Sequence, residues 1–225
     1  MKRKILLSIC ALFLITGCFN SKSSSKNVKV DLNKTKGISY DYVLTNDSVI
    51  LSITNDTDSI IDFINVDMAI YDKSGSLIGV EKQSVRNLGS KKTNIIKILY
   101  TGLNNDTKPA KVEIATSKVD YETDVETSYI DQVEGTIEKS ETENQFNLVI
   151  KNNSGVTLND LSAMVVFYKD SKIVDVYAIG AQEVGAEYTD TVYLPVKTSS
   201  NGTTEYIDYD DIKVNINNAS TYNVQ

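Results

Sequence analysis

The chain has no histidine and no tryptophan, only two prolines, and two cysteines in 225 residues. Without histidine, the commonest general base, the commonest zinc ligand and the usual switch near neutral pH are all missing. Both cysteines, Cys10 and Cys18, sit at the N-terminus. Neither predicted domain therefore has a disulfide, and each must be held by packing alone. No G-x-S-x-G and no glycine-rich phosphate loop occurs, and the S-x-x-K from Ser23 to Lys26 lies in a polar stretch with nothing to pre-organise it. No catalytic residue, cofactor or metal site is expected, and the reading is of a protein that is not an enzyme.

What the chain has in quantity is Val, Ile, Thr and Tyr, the side chains that fit a half-buried pleated surface. One stretch occurs twice. Leu51–Gly79 (LSITNDTDSIIDFINVDMAIYDKSGSLIG) is matched 97 residues later by Leu148–Val176 (LVIKNNSGVTLNDLSAMVVFYKDSKIVDV). Leu51 falls on Leu148, Ile53 on Ile150, Asn55 on Asn152 and Tyr71 on Tyr168. Val49, Leu51 and Ile53 alternate with Ser48, Ser52 and Thr54, the period of two that marks a strand with one buried face. Ile64, Val66, Met68 and Ile70 continue it, and polar turns divide the strands. The expected fold is all-β: two tandem immunoglobulin-like antiparallel β-sandwich domains, at 37–117 and 135–225, joined by an acidic linker at 118–134.

Ahead of them, Lys2, Arg3 and Lys4 precede the apolar run Ile5–Ile15, too short to span a bilayer but right for a signal peptide. Ile15-Thr16-Gly17-Cys18 resembles the lipobox of bacterial lipoproteins. That resemblance implies cleavage after Gly17, a diacylglyceryl group on Cys18, and a cell-membrane protein facing outward on its lipid anchor. Residues 1–17 are then the leader, and residues 18–36, rich in Ser, Lys and Asn, the lipidated Cys and a flexible tether. Removing the leader leaves 20 basic against 30 acidic side chains, a net charge of −10. Such a surface repels nucleic acid and anionic headgroups, so the acyl chains carry the membrane attachment.

The segment Met68-Ala69-Ile70-Tyr71-Asp72, with a glycine-containing turn and Ile78-Gly79 after it, resembles the FxLYD domain of Gram-positive lipoproteins. Phe167-Tyr168 matches in part; Lys169 stands in place of the acidic residue and Val165 in place of the phenylalanine. The resemblance implies an extracellular sandwich and no catalytic residues.

The expected role is a binding module for a protein or envelope ligand. Two other readings stand beside it: a structural stalk, and an enzyme or accessory subunit with an acidic or calcium-dependent site. The second would require Glu122, Asp124 and Asp131 to converge with Asp208–Asp211. Asn55-Asp56-Thr57-Asp58 and Asn104-Asn105-Asp106 offer oxygen ligands too, although short polar residues are what turns favour. The insertion Lys197–Asp210 has no counterpart of equal length in the first domain, and Tyr206, Tyr209 and Tyr222 gather around it. These tyrosines are the candidate binding surface.

Overall fold

The computed structural model describes residues 36–45, 48–100, 108–121, 126–198 and 203–222. The leader, Cys18 and nearly all of the tether lie outside the described residues, as do Glu122, Asp124, Asn104–Asp106 and the side chain of Tyr222.

Alternation of apolar and polar residues produces strands almost throughout. In the first half these are β1 (Ile38–Leu44), β2 (Ser48–Asn55), β3 (Ile61–Asp72), β4 (Leu77–Leu88), β5 (Thr93–Leu99) and β6 (Pro109–Tyr121). In the second they are β7 (Glu126–Ser128), β8 (Val133–Lys139), β9 (Gln145–Asn152), β10 (Asp160–Lys169), β11 (Lys172–Ala181), β12 (Glu187–Tyr193), β13 (Val196–Thr198), β14 (Thr204–Tyr206) and β15 (Asp211–Tyr222). The first half stacks sheet β1-β2-β5 on sheet β4-β3-β6. The second stacks β8-β9-β12 on β11-β10-β15, with β7 added at the free edge of β15. Strand for strand, the sequence repeat is a repeat of antiparallel topology. Among the described residues the second half alone adds β7 and the β13–β14 ribbon, and β6 runs on past Ser117 to Tyr121.

Each half has its own core. Val49, Leu51, Ile53, Ile64, Val66 and Met68 fill the first. Leu148, Ile150, Leu161, Val165 and Phe167 fill the second. A third apolar layer lies between the halves: Ile50 and Ile95 from β2 and β5 meet Met164, Val166 and Val176 from β10 and β11. The four sheets therefore form a four-layer stack with three buried seams. The middle seam carries polar fastenings as well. Asn217 Oδ1 accepts the Ile95 N–H at 3.0 Å while Asn217 Nδ2 donates to the Ile95 carbonyl at 2.7 Å. Asn215 Nδ2 donates to the Thr93 carbonyl at 2.9 Å, and Lys97 pairs with Asp175 at 2.6 Å. Two asparagine side chains thus occupy the outer edge of β5, whose backbone groups would otherwise invite another strand.

The halves dock through different faces. Half one uses the outside of β1-β2-β5, half two the outside of β11-β10-β15. At the paired positions the residue types diverge accordingly. Ile50 is buried while its counterpart Asn147 is exposed, and Met164 is buried while its counterpart Asp67 pairs with Lys82.

One polar device is duplicated intact. Asn55 and Asn152 end their strands as buried side chains. Asn55 Nδ2 donates to the carbonyls of Ser59, Leu88 and Gly89 at 2.8, 3.1 and 3.0 Å. Its Oδ1 accepts the backbone N–H and the hydroxyl of Thr57. Asn152 repeats every bond, to Val156, Val184, Gly185 and Ser154. The Asn-x-Thr/Ser triplets at these two sites are this clamp, with the hydroxyl two residues on serving the amide oxygen.

The β3–β4 and β10–β11 hairpins solve the same turn differently. Asp72 Oδ1 accepts from Ser74 N–H, Ser74 hydroxyl and Ser76 N–H, with Gly75 at φ 82. The Ser74 hydroxyl and Ser76 N–H together hold the Asp72 carboxyl below its usual range. In the second half Asp170 and Ser171 both take positive φ, 49 and 63, the mark of a two-residue turn that matches strand twist. No carboxylate within the turn caps it, and the position of Asp72 is free to be Lys169.

Candidate binding end of the second half

At the end of the second half where β9 and β15 begin, the β8–β9 turn, the β10–β11 turn and residues 194–198 and 203–210 come together. A tyrosine-bearing surface is expected here.

In the β13–β14 ribbon Val196 pairs across from Tyr206, and Lys197 from Glu205. Side chains alternate along a strand, so the two pairs face opposite ways. Lys197 and Glu205 form an ion pair at 3.2 Å on one face. Val196 and Tyr206 stand on the other, 48% and 56% exposed. Both faces of the ribbon are open to solvent, one charged and the other apolar. Tyr193, 56% exposed, closes β12 just before it.

Tyr209 turns the other way. Its ring packs edge-on against Phe167 at 5.4 Å and Phe146 at 6.3 Å, where it joins the second core. Burial pushes its phenol above the ordinary tyrosine value. Of the three tyrosines singled out from the sequence, Tyr206 is presented to solvent, Tyr209 plugs the core, and the Tyr222 side chain lies outside the described residues. Val196 pairs with Tyr206 across the ribbon, and Tyr193 is exposed at the end of β12; neither was singled out from the sequence. The Pro195–Val196 step after β12 was the available clue, because a fresh strand can begin after proline.

The loop before β15 is strapped to the β10–β11 turn. Lys169 Nζ reaches Asp208 at 3.1 Å and Asp210 at 4.0 Å, and Asp210 Oδ2 accepts the Asp170 N–H at 3.0 Å. The hydrogen bond to Asp208, with its negative charge, raises the Lys169 amine above its usual value. A cavity of about 320 Å³ lies between the β8–β9 turn and Leu194, with Glu141, Glu143 and Phe146 in its lining.

The carboxylates required for an acidic site do not gather among the described residues. Asp131 lies at the start of β8 and pairs with Lys92, whereas Asp208 and Asp210 lie at the opposite end with Lys169. Asp58 pairs with Lys91 at 3.0 Å, and the Asn55 side chain is turned inward. Among the described residues no group of three or more His, Cys, Asp or Glu side chains is placed to hold a metal ion. The chain matches no protein-family model, and no curated protein matches it.

Proposed function

We propose that the chain is a lipid-anchored cell-surface lipoprotein whose two sandwiches form a non-enzymatic binding module, with the β13–β14 end as the contact surface for a protein or envelope ligand. The observation that carries this reading is the exposed apolar pair Val196 and Tyr206 on one face of the ribbon. Tyr206 lies in the insertion Lys197–Asp210 that distinguishes the second copy from the first, and Val196 stands immediately before it. An aromatic ring with a polar tip gives large contact area at low entropic cost, the usual composition of a recognition surface. Ile15-Thr16-Gly17-Cys18 supports the anchor, and Met68–Asp72 supports kinship with FxLYD domains.

In a pull-down from envelope and host extracts, a ligand held by the parent chain is expected to be lost by the double variant Val196→Ser/Tyr206→Ser. Both side chains are already exposed, so its melting temperature should stay within a few degrees of the parent. Equal retention by both proteins removes the ribbon from the reading. Anchoring is tested separately. Cys18→Ala is expected to move the protein from the membrane fraction to the medium, and a variant that stays membrane-bound after detergent-free washing defeats the lipid-anchor assignment.

A stalk is the second reading, favoured by the apolar seam and the Lys97–Asp175 pair that fasten the halves together. A stalk tolerates loss of Val196 and Tyr206 without loss of any partner.

A further inference from the structure

The end strand of a sheet offers a row of backbone N–H and C=O groups to any strand that comes alongside. The sheets β1-β2-β5 and β8-β9-β12 are counterparts, so their four end strands can be compared position by position. Beside β5 stand the side chains of Asn215 and Asn217. β15 closes on β8 so tightly that a Cβ on Gly135 would lie 2.3 Å from the Val214 side chain. The counterpart of Gly135 is Tyr40, whose hydroxyl bonds the Thr116 hydroxyl and spaces β1 from β6 by the length of its ring. Among the described residues no further strand pairs with the outer edge of β1 or of β12.

These two edges each carry an aspartate that turns back on its own strand. At the ends of β1, Asp56 N–H donates to the Gly37 carbonyl and Thr45 N–H to the Ser48 carbonyl, so the odd-numbered residues turn toward β2. Tyr42 therefore directs its N–H outward, and Asp41 Oδ1 accepts it at 2.8 Å. Around β12, Asn152 N–H donates to the Ala186 carbonyl and Leu194 N–H to the Asn144 carbonyl, so the even-numbered residues turn toward β9. Thr191 N–H points outward, and Asp190 Oδ1 accepts it at 2.7 Å while Oδ2 accepts the Tyr188 hydroxyl at 3.2 Å. The registers put Thr136 of β8 in the place of Asp41, and Ile96 of β5 in the place of Asp190. In these two sheets the aspartate stands on the uncovered edge, and its counterpart on the covered edge is another residue. Asp175 makes the same bond to Val176 on β11, but there Lys97 of the other half pairs with the carboxylate.

A carboxylate in that place acts in two ways. It takes up an N–H that an added strand would need, and it repels the carbonyl oxygen such a strand would bring. Identical strands meet a further penalty. Asp41 is the central residue of Ile38–Leu44, and Asp190 is the central residue of Glu187–Tyr193. Antiparallel pairing of either strand with its own copy in full register sets aspartate directly opposite aspartate, which is destabilising. From this placement we infer that Asp41 and Asp190 close the two uncovered sheet edges against pairing with a second copy of this chain.

The test uses the full chain in excess detergent, followed by sedimentation velocity at rising protein concentration. The parent is expected to stay monomeric. Asp41→Ala/Asp190→Ala should self-associate in the same range, each freed N–H tightening pairing roughly tenfold. Its Tyr42 and Thr191 amides should gain protection from hydrogen exchange as it associates. Asp41→Asn/Asp190→Asn keeps the side-chain shape should the alanine variant fail to fold. It is expected to associate more weakly than the alanine variant, because its Oδ1 still accepts the N–H. Glu141→Ala/Glu143→Ala removes the same charge from an exposed turn and should remain monomeric. The proposal is overturned if both aspartate variants stay monomeric, or if the parent already pairs through these edges. Association of the glutamate variant to the same extent overturns it too, since general charge repulsion is then the cause. So does association that leaves the Tyr42 and Thr191 amides unprotected, because the contact then lies elsewhere.

Discussion

Asn152→Asp is expected to destabilise the protein by on the order of 4 kcal/mol near neutral pH, the effect of an uncompensated buried charge. The substitution changes one atom in the clamp. It replaces a donor shared among three carbonyl oxygens with a carboxylate oxygen that repels all three. Asn152→Ala should cost somewhat less, about 3 kcal/mol, because it leaves the carbonyls unpaired without adding charge. For a chain of this length either loss lowers the melting temperature by roughly 6–16 °C. The aspartate variant carries its own diagnostic. Its carboxyl is neutral only if its folded pKa is raised above the unfolded value, so the folded state binds the extra proton. Stability of the variant must then recover as pH falls through the folded pKa and decline as pH rises, opposite to the behaviour of a salt-bridged aspartate. Chemical denaturation across a pH series reads this directly. Because Asn55 makes the matching bonds, Asn55→Asp should behave alike; a variant of either site within 1 kcal/mol of the parent would show the clamp to be dispensable.

Val166→Asp is expected to cost a similar amount, about 4 kcal/mol, but to fail in a different way. Val166 is fully buried in the seam between the halves, beside Met164 and Val176 and opposite Ile50 and Ile95. A carboxylate there can reach water only by parting the seam. Each half keeps its own core, so undocking precedes global unfolding and the transition becomes two-step. Amide hydrogen exchange distinguishes the stages. The Ile95 N–H, which donates to Asn217 across the seam, should lose protection, while the β9 amides inside the second core keep theirs. Uniform loss of protection in a single step would mean that the halves have no separate stability.

Much of the fold was legible in the sequence. Period-two alternation located the strands, and the repeat at 97 residues gave two copies of one topology. The seam was not read, although its signal was present. Ala163-Met164-Val165-Val166-Phe167 is an unbroken apolar run, which implies a strand covered on both faces. Ile50, between Val49 and Leu51, is the same signal on the opposing sheet. Treated as ordinary alternation, these residues predict two domains on a linker; taken as runs, they predict a third buried layer. At the candidate site, the insertion was visible as an inequality of loop length, and Tyr206 with it. Which tyrosine faces water was not visible, because Tyr206 and Tyr209 lie in similar polar surroundings and differ through contacts with Phe146 and Phe167, residues remote in sequence.

The docking of unlike faces has a consequence for growth. When one surface of a unit always meets a different surface of the next, the arrangement has no symmetry to close it, and identical units would continue adding to either end. Two copies of a sticky module in tandem are the seed of a fibre. Here the exposed ends are blunted: Asp67 sits where an incoming neighbour would need a methionine, and Asn147 where it would need an isoleucine. Solenoid proteins end their arrays with polar terminal repeats for the same reason. In this chain the capping is written into positions where the two copies differ, and it stops the stack at two.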